Sequence, residues 1–215
     1  KLNEVKRDLT FEPIVLKAFK TMIKPSKFIT YKVSPNYIFV PRFYGIEKFG
    51  AALKDAVPKG DAMNPVCQIV DGFSPRAHQI NAYQKTLTQL ETVRGGILSV
   101  FCGWGKTFMA IYLAVKLHGK TLVLVHNEDL VQQWTEEIKS FTGGMAKVGI
   151  IQQNRVEIDG CDFVLAMIPS LSKRDYSREL FTSFRFLIVD ECHHVGSEVF
   201  SKALDKVCFQ YTLGL

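Results

Sequence analysis

The chain contains 215 residues, of which 47% are hydrophobic and 22% charged, and its formal net charge is +6. This length allows one large or two modest domains with a sizeable core. Five scattered cysteines without a C-x-x-C pair argue against a disulfide framework or a structural zinc site, and they favour a reducing, intracellular compartment. No signal peptide and no apolar run of about 20 residues is present, so we expect no membrane partner.

The positive charge is concentrated at the start of the chain. Residues 1–60 contain 12 Lys and Arg against 5 Asp and Glu, whereas the remaining 155 residues contain 15 against 16. A basic segment joined to a nearly neutral body predicts a polyanionic partner, most simply nucleic acid. A lysine-rich surface that only keeps the protein soluble is the alternative.

Residues 1–60 are predicted to form a small basic accessory domain that contains β-structure. Two short β-type runs, 28–33 and 37–40, flank a turn at Ser34-Pro35-Asn36. Aromatic and basic side chains alternate around these runs, as in surfaces that stack bases and follow phosphates, and Arg42 is the candidate contact. The aromatic residues could equally form the core of so small a unit.

Residues 61–73 are predicted to be a linker because Pro65 and Gly72 interrupt this stretch. Residues 74–215 then alternate apolar strands with amphipathic helices, which predicts an α/β domain with a parallel sheet covered on both faces. The predicted elements are helix 74–93, strand 96–100, helix 108–115, strand 120–126, helix 127–141 and strands 148–151, 163–168 and 186–189.

The run Phe101-Cys102-Gly103-Trp104-Gly105-Lys106-Thr107 lies between a predicted strand and an apolar helix. A glycine turn at the N-terminus of a helix aims backbone N–H groups at an anion, and Gly103 and Gly105 let the backbone approach it closely. Lys106 would reach the β- and γ-phosphates of a nucleotide, and the Thr107 hydroxyl would bind Mg²⁺. A glycine turn with an exposed lysine is the alternative.

The last apolar strand, 186–189, leads directly into Asp190-Glu191-Cys192-His193-His194. Ligands bind at the carboxyl ends of the strands in a parallel sheet. Asp190 would hold Mg²⁺ directly or through water, and Glu191 would orient and deprotonate the attacking water. A solvated acidic turn is the alternative, whereas a zinc site fails because adjacent Cys and His side chains cannot surround a tetrahedral ion.

Gln79 precedes the glycine-rich run by 22 residues, on the first predicted helix. Its amide can donate and accept hydrogen bonds together, which matches the N6 and N7 edge of adenine. A solvated helix glutamine is the alternative.

Together these runs resemble the superfamily 2 helicases of the DExH type, in particular the XPB/UvsW-like branch. Asp190-Glu191-Cys192-His193 is similar to the DECH form of motif II, residues 101–107 to motif I, and Pro75-Arg76-x-x-Gln79 to the adenine motif. Residues 121–134 resemble motif Ia, and residues 166–171 resemble the Thr-Ile-Gln-Ser-Leu segment of that branch.

Two further stretches point within that branch to the transcription-type helicases of large DNA viruses. Residues 148–194 look closest to those proteins, and residues 40–45 are similar to part of their N-terminal domain. If the protein is viral, the resemblance implies a viral factory or virion as its location, and otherwise the nucleus or cytoplasm.

The resemblance implies a RecA-like fold for residues 74–215, ATP and Mg²⁺ as cofactors, and ATP hydrolysis coupled to movement along nucleic acid, DNA rather than RNA. Catalysis would depend on Lys106, Asp190 and Glu191, with Thr107 and Asp190 as metal ligands. The residues expected to bind the nucleotide are Arg76, Gln79, Cys102, Gly103, Trp104, Gly105, Lys106, Thr107 and His193. The residues expected to contact nucleic acid are Arg42, Asn127 and Ser170.

The chain also departs from the family pattern. Val100 and Trp104 are unusual in motif I, and residues 211–215 resemble the strand that leads to the family's Ser-Ala-Thr motif. We therefore expect a fragment whose second RecA-like lobe, with the arginine fingers, lies C-terminal to it in the complete protein. Lys1 in place of an initiator Met fits this expectation, and the single lobe should hydrolyse ATP poorly alone. Transcription or repair proteins are further expected partners.

Two other functions remain open. A non-helicase phosphate-loop NTPase would share Lys106 and Asp190 but would need neither Gln79 nor His193 nor the basic segment. A non-catalytic nucleic-acid-binding module would bind through residues 1–60 and would retain only a vestigial nucleotide site.

Overall fold

The computed structural model describes residues 2–11, 27–196, 203–204 and 206–215. Their contacts divide the chain into two compact units, Lys1–Asp55 and Ala56–Leu215. None of the helices in these ranges combines the length and the apolar character needed to cross a membrane.

The described residues of the small unit form two short helices and two pairs of antiparallel strands. Its elements are α1 (Leu2–Asp8), β1 (Thr10–Phe11), β2 (Phe28–Ile29), β3 (Lys32–Val33), β4 (Ile38–Phe39) and α2 (Arg42–Phe49), with β1 paired to β2 and β3 to β4. The predicted strand 28–33 is divided into β2 and β3, because its first part pairs with β1 and its last part pairs with β4. The predicted turn does join β3 to β4, where Ser34 N donates to Tyr37 O at 2.8 Å.

Side chains of α1 and α2 hold the small unit together. Tyr44 Oη donates to Asp8 Oδ2 at 3.0 Å, and Lys48 Nζ donates to Glu4 Oε1 at 2.5 Å. The Tyr44 hydroxyl lowers the pKa of the Asp8 carboxyl, and the Lys48 ammonium lowers that of Glu4. All four groups are solvent-accessible, so we expect these contacts to orient the helices more than to stabilise them.

The large unit is built on a seven-stranded sheet in the order β5-β11-β10-β6-β9-β7-β8. Its strands are β5 (Gly95–Ile97), β6 (Thr121–Val125), β7 (Val148–Gln152), β8 (Arg155–Val156), β9 (Phe163–Met167), β10 (Phe186–Val189) and β11 (Tyr211–Gly214). All neighbours are parallel except β7 and β8, which form an antiparallel hairpin at one edge. The predicted parallel α/β sheet is therefore confirmed.

Helices cover this sheet on both faces. They are α3 (Ala77–Val93), α4 (Lys106–Lys116), α5 (Glu128–Phe141) and α6 (Ile168–Lys173), with 3₁₀ turns at Arg178–Phe181 and Cys192–Gly196. Val123 and Val125 of β6 pack in one hydrophobic cluster with side chains of α3, α4 and α5, whereas Leu122 and Leu124 pack in a second cluster with side chains of α6 and the Arg178–Phe181 turn. This alternation follows from the two-residue period of a strand.

The stretch 61–73 differs from the linker expected from its turn-forming residues. Met63 and Cys67 are buried in the cluster that contains α4 and α5, and Asn64 N donates to Asp162 Oδ1 at 2.7 Å. Burial raises the pKa of the Cys67 thiol to about 12. The segment is therefore packed against the large unit despite its proline and glycine, because the side chains of Met63 and Cys67 reach the core.

Two element boundaries also differ from the prediction. Strand β5 ends at Ile97 rather than residue 100, because it lies at the edge of the described sheet with β11 as its one neighbour there. Helix α3 begins at Ala77 rather than beside Ser74, because the side chain of Gln79 accepts a hydrogen bond from Arg76 N at 2.9 Å and caps the helix at that point.

Candidate nucleotide-binding site

The sheet topology brings the glycine-rich run and the acidic run to the same edge. Strands β5 and β10 are both parallel to β11, which lies between them. Their carboxyl ends therefore point in one direction, and the segments that follow, from Leu98 and from Asp190, emerge at one end of the sheet. Leu98 N donates to Gly214 O at 2.8 Å, and Cys192 N donates to Leu215 O at 2.9 Å, so β11 holds both segments.

The glycine-rich run forms a turn that ends at the first residue of α4. Gly103 and Gly105 have left-handed backbones, with φ of 79° and 96°, and Lys106 begins the helix. A helix N-terminus presents backbone N–H groups that no intrahelical carbonyl satisfies. The turn therefore presents unpaired backbone N–H groups, the arrangement that would bind the phosphates of a nucleoside triphosphate.

Trp104 contributes its backbone to this turn, while its indole packs inward. The side chain belongs to the core cluster, and its ring meets that of His78 edge-on with the centroids 5.9 Å apart. Phe101 and Cys102, earlier in the run, are exposed. The unusual tryptophan in this position thus anchors the loop to the domain and leaves the neighbouring glycines at the surface.

Gln79 is only 3% exposed and contacts the glycine-rich run directly. Its Nε2 donates to Trp104 O at 2.7 Å, and its Oε1 accepts from Arg76 N. A Cβ at Gly105 would lie 2.8 Å from Gln79 Nε2, so the glycine is required by space as well as by its φ. One N–H and one lone pair of the Gln79 amide remain for another partner.

Asp190 follows β10 and is 9% exposed. Its Oδ2 accepts a hydrogen bond from Trp134 Nε1 at 2.8 Å, and its Oδ1 accepts from Glu191 N at 3.0 Å. Sequence reasoning missed Trp134 as a residue of this site. The available signal was a tryptophan on the helix after the neighbouring strand β6, because a buried indole N–H requires an acceptor.

Glu191 has a left-handed backbone, with φ of 51°, and its Oε2 lies 3.2 Å from His193 Nδ1. A left-handed conformation in a residue other than glycine costs about 1–3 kcal/mol and is concentrated at functional sites. The His193 ring in turn lies against that of His194, with centroids 4.1 Å apart. The backbone conformation and the neighbouring imidazole both favour this position of the Glu191 carboxylate.

The charge of Lys106, in the glycine-rich turn, influences Cys192 in the acidic turn. Burial raises the pKa of the Cys192 thiol, and the Lys106 ammonium opposes that rise. The Cys192 thiol is therefore neutral at neutral pH. Lys106 and the acidic turn lie within electrostatic range of each other, as a site for a nucleotide and its cation requires.

The residues that would hold Mg²⁺ supply a suitable set of donors. Thr107 offers a hydroxyl oxygen and Asp190 a carboxylate, and Mg²⁺ prefers hard oxygen ligands together with water. Each carboxylate oxygen of Asp190 accepts one hydrogen bond and retains a second lone pair. The donor set present therefore fits the ion.

The side chains of the expected nucleic-acid contacts already have structural partners. Asn127 Oδ1 caps α5 by accepting from Leu130 N at 2.9 Å, and Ser170 Oγ accepts from Gln153 N at 3.0 Å. Both residues follow the carboxyl ends of neighbouring strands, β6 and β9, at the same edge as Asp190. Arg42 belongs to the small unit, where its guanidinium carbon lies 4.6 Å from the centre of the Phe43 ring.

Residues 72–215 match the family described as type III restriction enzyme, res subunit (ResIII). The chain belongs to this family. The matched residues form a RecA-like first lobe of the superfamily 2 helicase type, as the sequence predicted.

Viral and archaeal proteins are among the relatives of this ResIII lobe. It is 37% identical over 215 residues to "Putative ATP-dependent RNA helicase L396" of Acanthamoeba polyphaga mimivirus, covering all of the chain and 41% of that protein. It is 30% identical over 151 residues to "DNA 3'-5' translocase XPB2" of Sulfurisphaera tokodaii, covering 70% of the chain and 32% of that protein. The chain thus spans less than half the length of either relative.

Solved structures show the same fold. The UvsW helicase of bacteriophage T4 aligns with a TM-score of 0.64 at 17% identity, over 99% of this chain and 84% of that one. The SWI2/SNF2 ATPase core domain of Sulfolobus solfataricus aligns with a TM-score of 0.58 at 17% identity, over 74% of this chain and 35% of that one. Such likenesses establish the RecA-like fold.

Proposed function

We propose that this chain is the ATP-binding half of an ATP-dependent nucleic-acid helicase or translocase. The observation that carries the proposal is that the glycine-rich turn at α4 and the acidic turn after β10 emerge at the same edge of a RecA-like sheet, where β11 and Leu215 bond to Leu98 and Cys192. Relatives named as a helicase and a translocase support the same function.

In this proposal the glycine-rich turn binds the phosphates of ATP, and the acidic turn activates the attacking water. Backbone N–H groups of residues 103–107 and the Lys106 ammonium bind the β- and γ-phosphates. Glu191 accepts a proton from the attacking water at its carboxylate, and His193 holds that carboxylate in place. Thr107 and Asp190 hold Mg²⁺, which when bound neutralises charge on the phosphate oxygens.

Gln79 has a second role in the proposal beside recognition of adenine. The Gln79 Nε2 donates to Trp104 O, so the glycine-rich turn sets the position of the amide. The second N–H and the second lone pair of that amide would then bind adenine from this position. Adenine binding and loop geometry are therefore coupled through one side chain. Arg76, which is exposed at the start of α3, lies beside Gln79 and would border the same base.

Nucleic acid, and DNA in particular, is the proposed track. Asn127 and Ser170 follow neighbouring strands, so their backbone and side-chain groups would contact successive phosphates at this edge of the sheet. The basic excess of residues 1–60 would add sequence-independent affinity, which falls steeply with salt. A second RecA-like lobe in the complete protein would be needed for stepping.

Substitution of the phosphate-loop lysine tests the proposal. Lys106→Ala removes a charge-assisted contact worth about 1.5–3 kcal/mol, so we expect Mg²⁺-ATP binding to weaken by about 10- to 100-fold. Binding of a fluorescent ATP analogue to the 215-residue chain gives the dissociation constant.

Lys116→Ala is the matched control, because this lysine lies on the same helix, is exposed, and carries the same charge. It should leave the dissociation constant unchanged. Equal affinities for Lys106→Ala and the unaltered chain would overturn the proposal. Binding of DNA without any binding of nucleotide would instead favour the non-catalytic module.

A further inference from the structure

The acidic turn depends on a side chain of α5, 56 positions earlier in the chain. Trp134 lies on α5 and is 1% exposed, and its indole N–H donates to Asp190 Oδ2 at 2.8 Å across 56 positions of sequence. The other carboxylate oxygen, Oδ1, accepts from Glu191 N at 3.0 Å. Each oxygen of Asp190 is thus held by a donor from a different part of the chain.

Packing alone does not require this contact. The side chain of Trp134 fills the core between α5 and the sheet, next to Ile138, and a phenylalanine ring would fill most of the same space. A tryptophan is distinguished by its N–H, which must find an acceptor when buried. Here the acceptor is the carboxylate of Asp190, the proposed ligand of the cation.

A carboxylate held at one oxygen can still turn about its side-chain torsions. Hydrogen bonds to both oxygens fix the plane of the group, and so decide which lone pairs face the open edge of the sheet. Outer partners of this kind orient metal ligands, and their removal typically weakens metal binding by about 10- to 100-fold.

We propose that Trp134 is a positioning residue for the cation site at Asp190. Its N–H holds Asp190 Oδ2, so that the carboxylate presents its remaining lone pairs toward Thr107 and the phosphates. The inference rests on the proposed function, because it assumes that Asp190 binds Mg²⁺ together with a nucleotide.

The test is Trp134→Phe in the 215-residue chain, measured by nucleotide binding without any need for turnover. A fluorescent ATP analogue is titrated at a series of Mg²⁺ concentrations and again in EDTA. We expect the apparent Mg²⁺ dissociation constant to rise by about 10- to 100-fold, while nucleotide affinity in EDTA stays within twofold of the unaltered chain.

Ile138→Ala is the matched control, because it loosens the same face of α5 without touching a hydrogen bond. It should lower the melting temperature but keep the Mg²⁺ dependence of the unaltered chain. Circular dichroism and melting of both variants show whether they are folded at the temperature of the titration.

The outcomes separate the two proposals. Trp134→Phe with an unchanged Mg²⁺ dependence, or with a loss that Ile138→Ala shares, would overturn the positioning role and leave the proposed function standing. An unaltered chain that binds ATP equally well with Mg²⁺ and with EDTA would overturn the metal site, and the positioning role with it.

Discussion

The two turns of the candidate nucleotide site are held in different ways. The glycine-rich turn, residues 101–107, is shaped by left-handed glycines and a helix N-terminus, and two of its side chains, Phe101 and Cys102, lie exposed. The acidic turn after β10 is shaped by side chains, since Trp134 holds Asp190 and His193 holds Glu191. The first turn is set mainly by its backbone, with Gln79 and the Trp104 indole attaching it to the domain, whereas the two acids of the second turn are contacted at their carboxylates.

The largest expected effect is a loss of ATP turnover without a loss of nucleotide binding. Glu191→Gln removes the base but keeps the size of the side chain, so turnover in the complete protein should fall by about 10²- to 10⁴-fold. Nucleotide binding, which we propose that the glycine-rich turn supplies, should persist. Steady-state ATPase and equilibrium binding measure the two quantities.

Glu136→Gln controls for the lost charge, because Glu136 is exposed on α5 and distant in sequence from the acidic turn. Its ATPase should equal that of the unaltered protein. Unchanged turnover in Glu191→Gln would refute the assignment of the base.

A smaller effect tests whether the glycine-rich turn is backbone-controlled. Gly105→Ala places a methyl group 2.8 Å from Gln79 Nε2 and forces alanine into a φ of 96°. Because the buried Gln79 amide must then move away from Trp104 O, we expect a loss of about 2–4 kcal/mol in the free energy of unfolding. Urea denaturation measures this loss.

Gly103→Ala is the comparison within the same turn. Its φ of 79° is also left-handed, but no atom lies within 4 Å of the added methyl group. The loss should be about 1–2 kcal/mol, from backbone strain alone. Equal losses at both positions would show that the contact between Gln79 and the turn is unimportant.

The smallest expected effect concerns Gln79, which contacts the glycine-rich turn and is proposed to recognise adenine. Gln79→Ala should reduce the preference for ATP over GTP to near one, and should lower the free energy of unfolding by about 1–2 kcal/mol through the lost hydrogen bonds. Competition between ATP and GTP for the fluorescent analogue measures the preference.

Gln84→Ala, at an exposed position of the same helix, should alter neither quantity. A strong ATP preference that survives Gln79→Ala would favour a phosphate-loop NTPase of another kind over the helicase reading.

The difference between the turns also explains what could be predicted from the sequence. Glycine positions, the apolar strands and the acids after β10 are local patterns, so the parallel sheet and both turns could be located from residues that are neighbours in the chain. Trp134 could not be found in this way, because its role depends on the register of β6 against β10, which no local pattern specifies.

The same limit accounts for the segment 61–73 and for the expected nucleic-acid residues. Turn-forming residues hid the burial of Met63 and Cys67, which depends on the sheet being assembled. The resemblance implies nucleic-acid contacts for Asn127 and Ser170, and the structure gives each side chain a partner within the protein. Whether they also contact nucleic acid stays a prediction.

The position of β11 has a consequence for how the protein is made. The glycine-rich turn and the acidic turn both leave the ribosome before residues 211–215. Those residues nevertheless lie between β5 and β10 in the sheet, and they accept hydrogen bonds from Leu98, which follows β5, and from Cys192, which follows β10. A nascent chain that stops short of β11 has no template that sets the spacing of the two turns. We therefore expect the emerging polypeptide to acquire ATP affinity only after β11 has left the ribosome, when most of the hydrophobic core of this lobe is already available to fold.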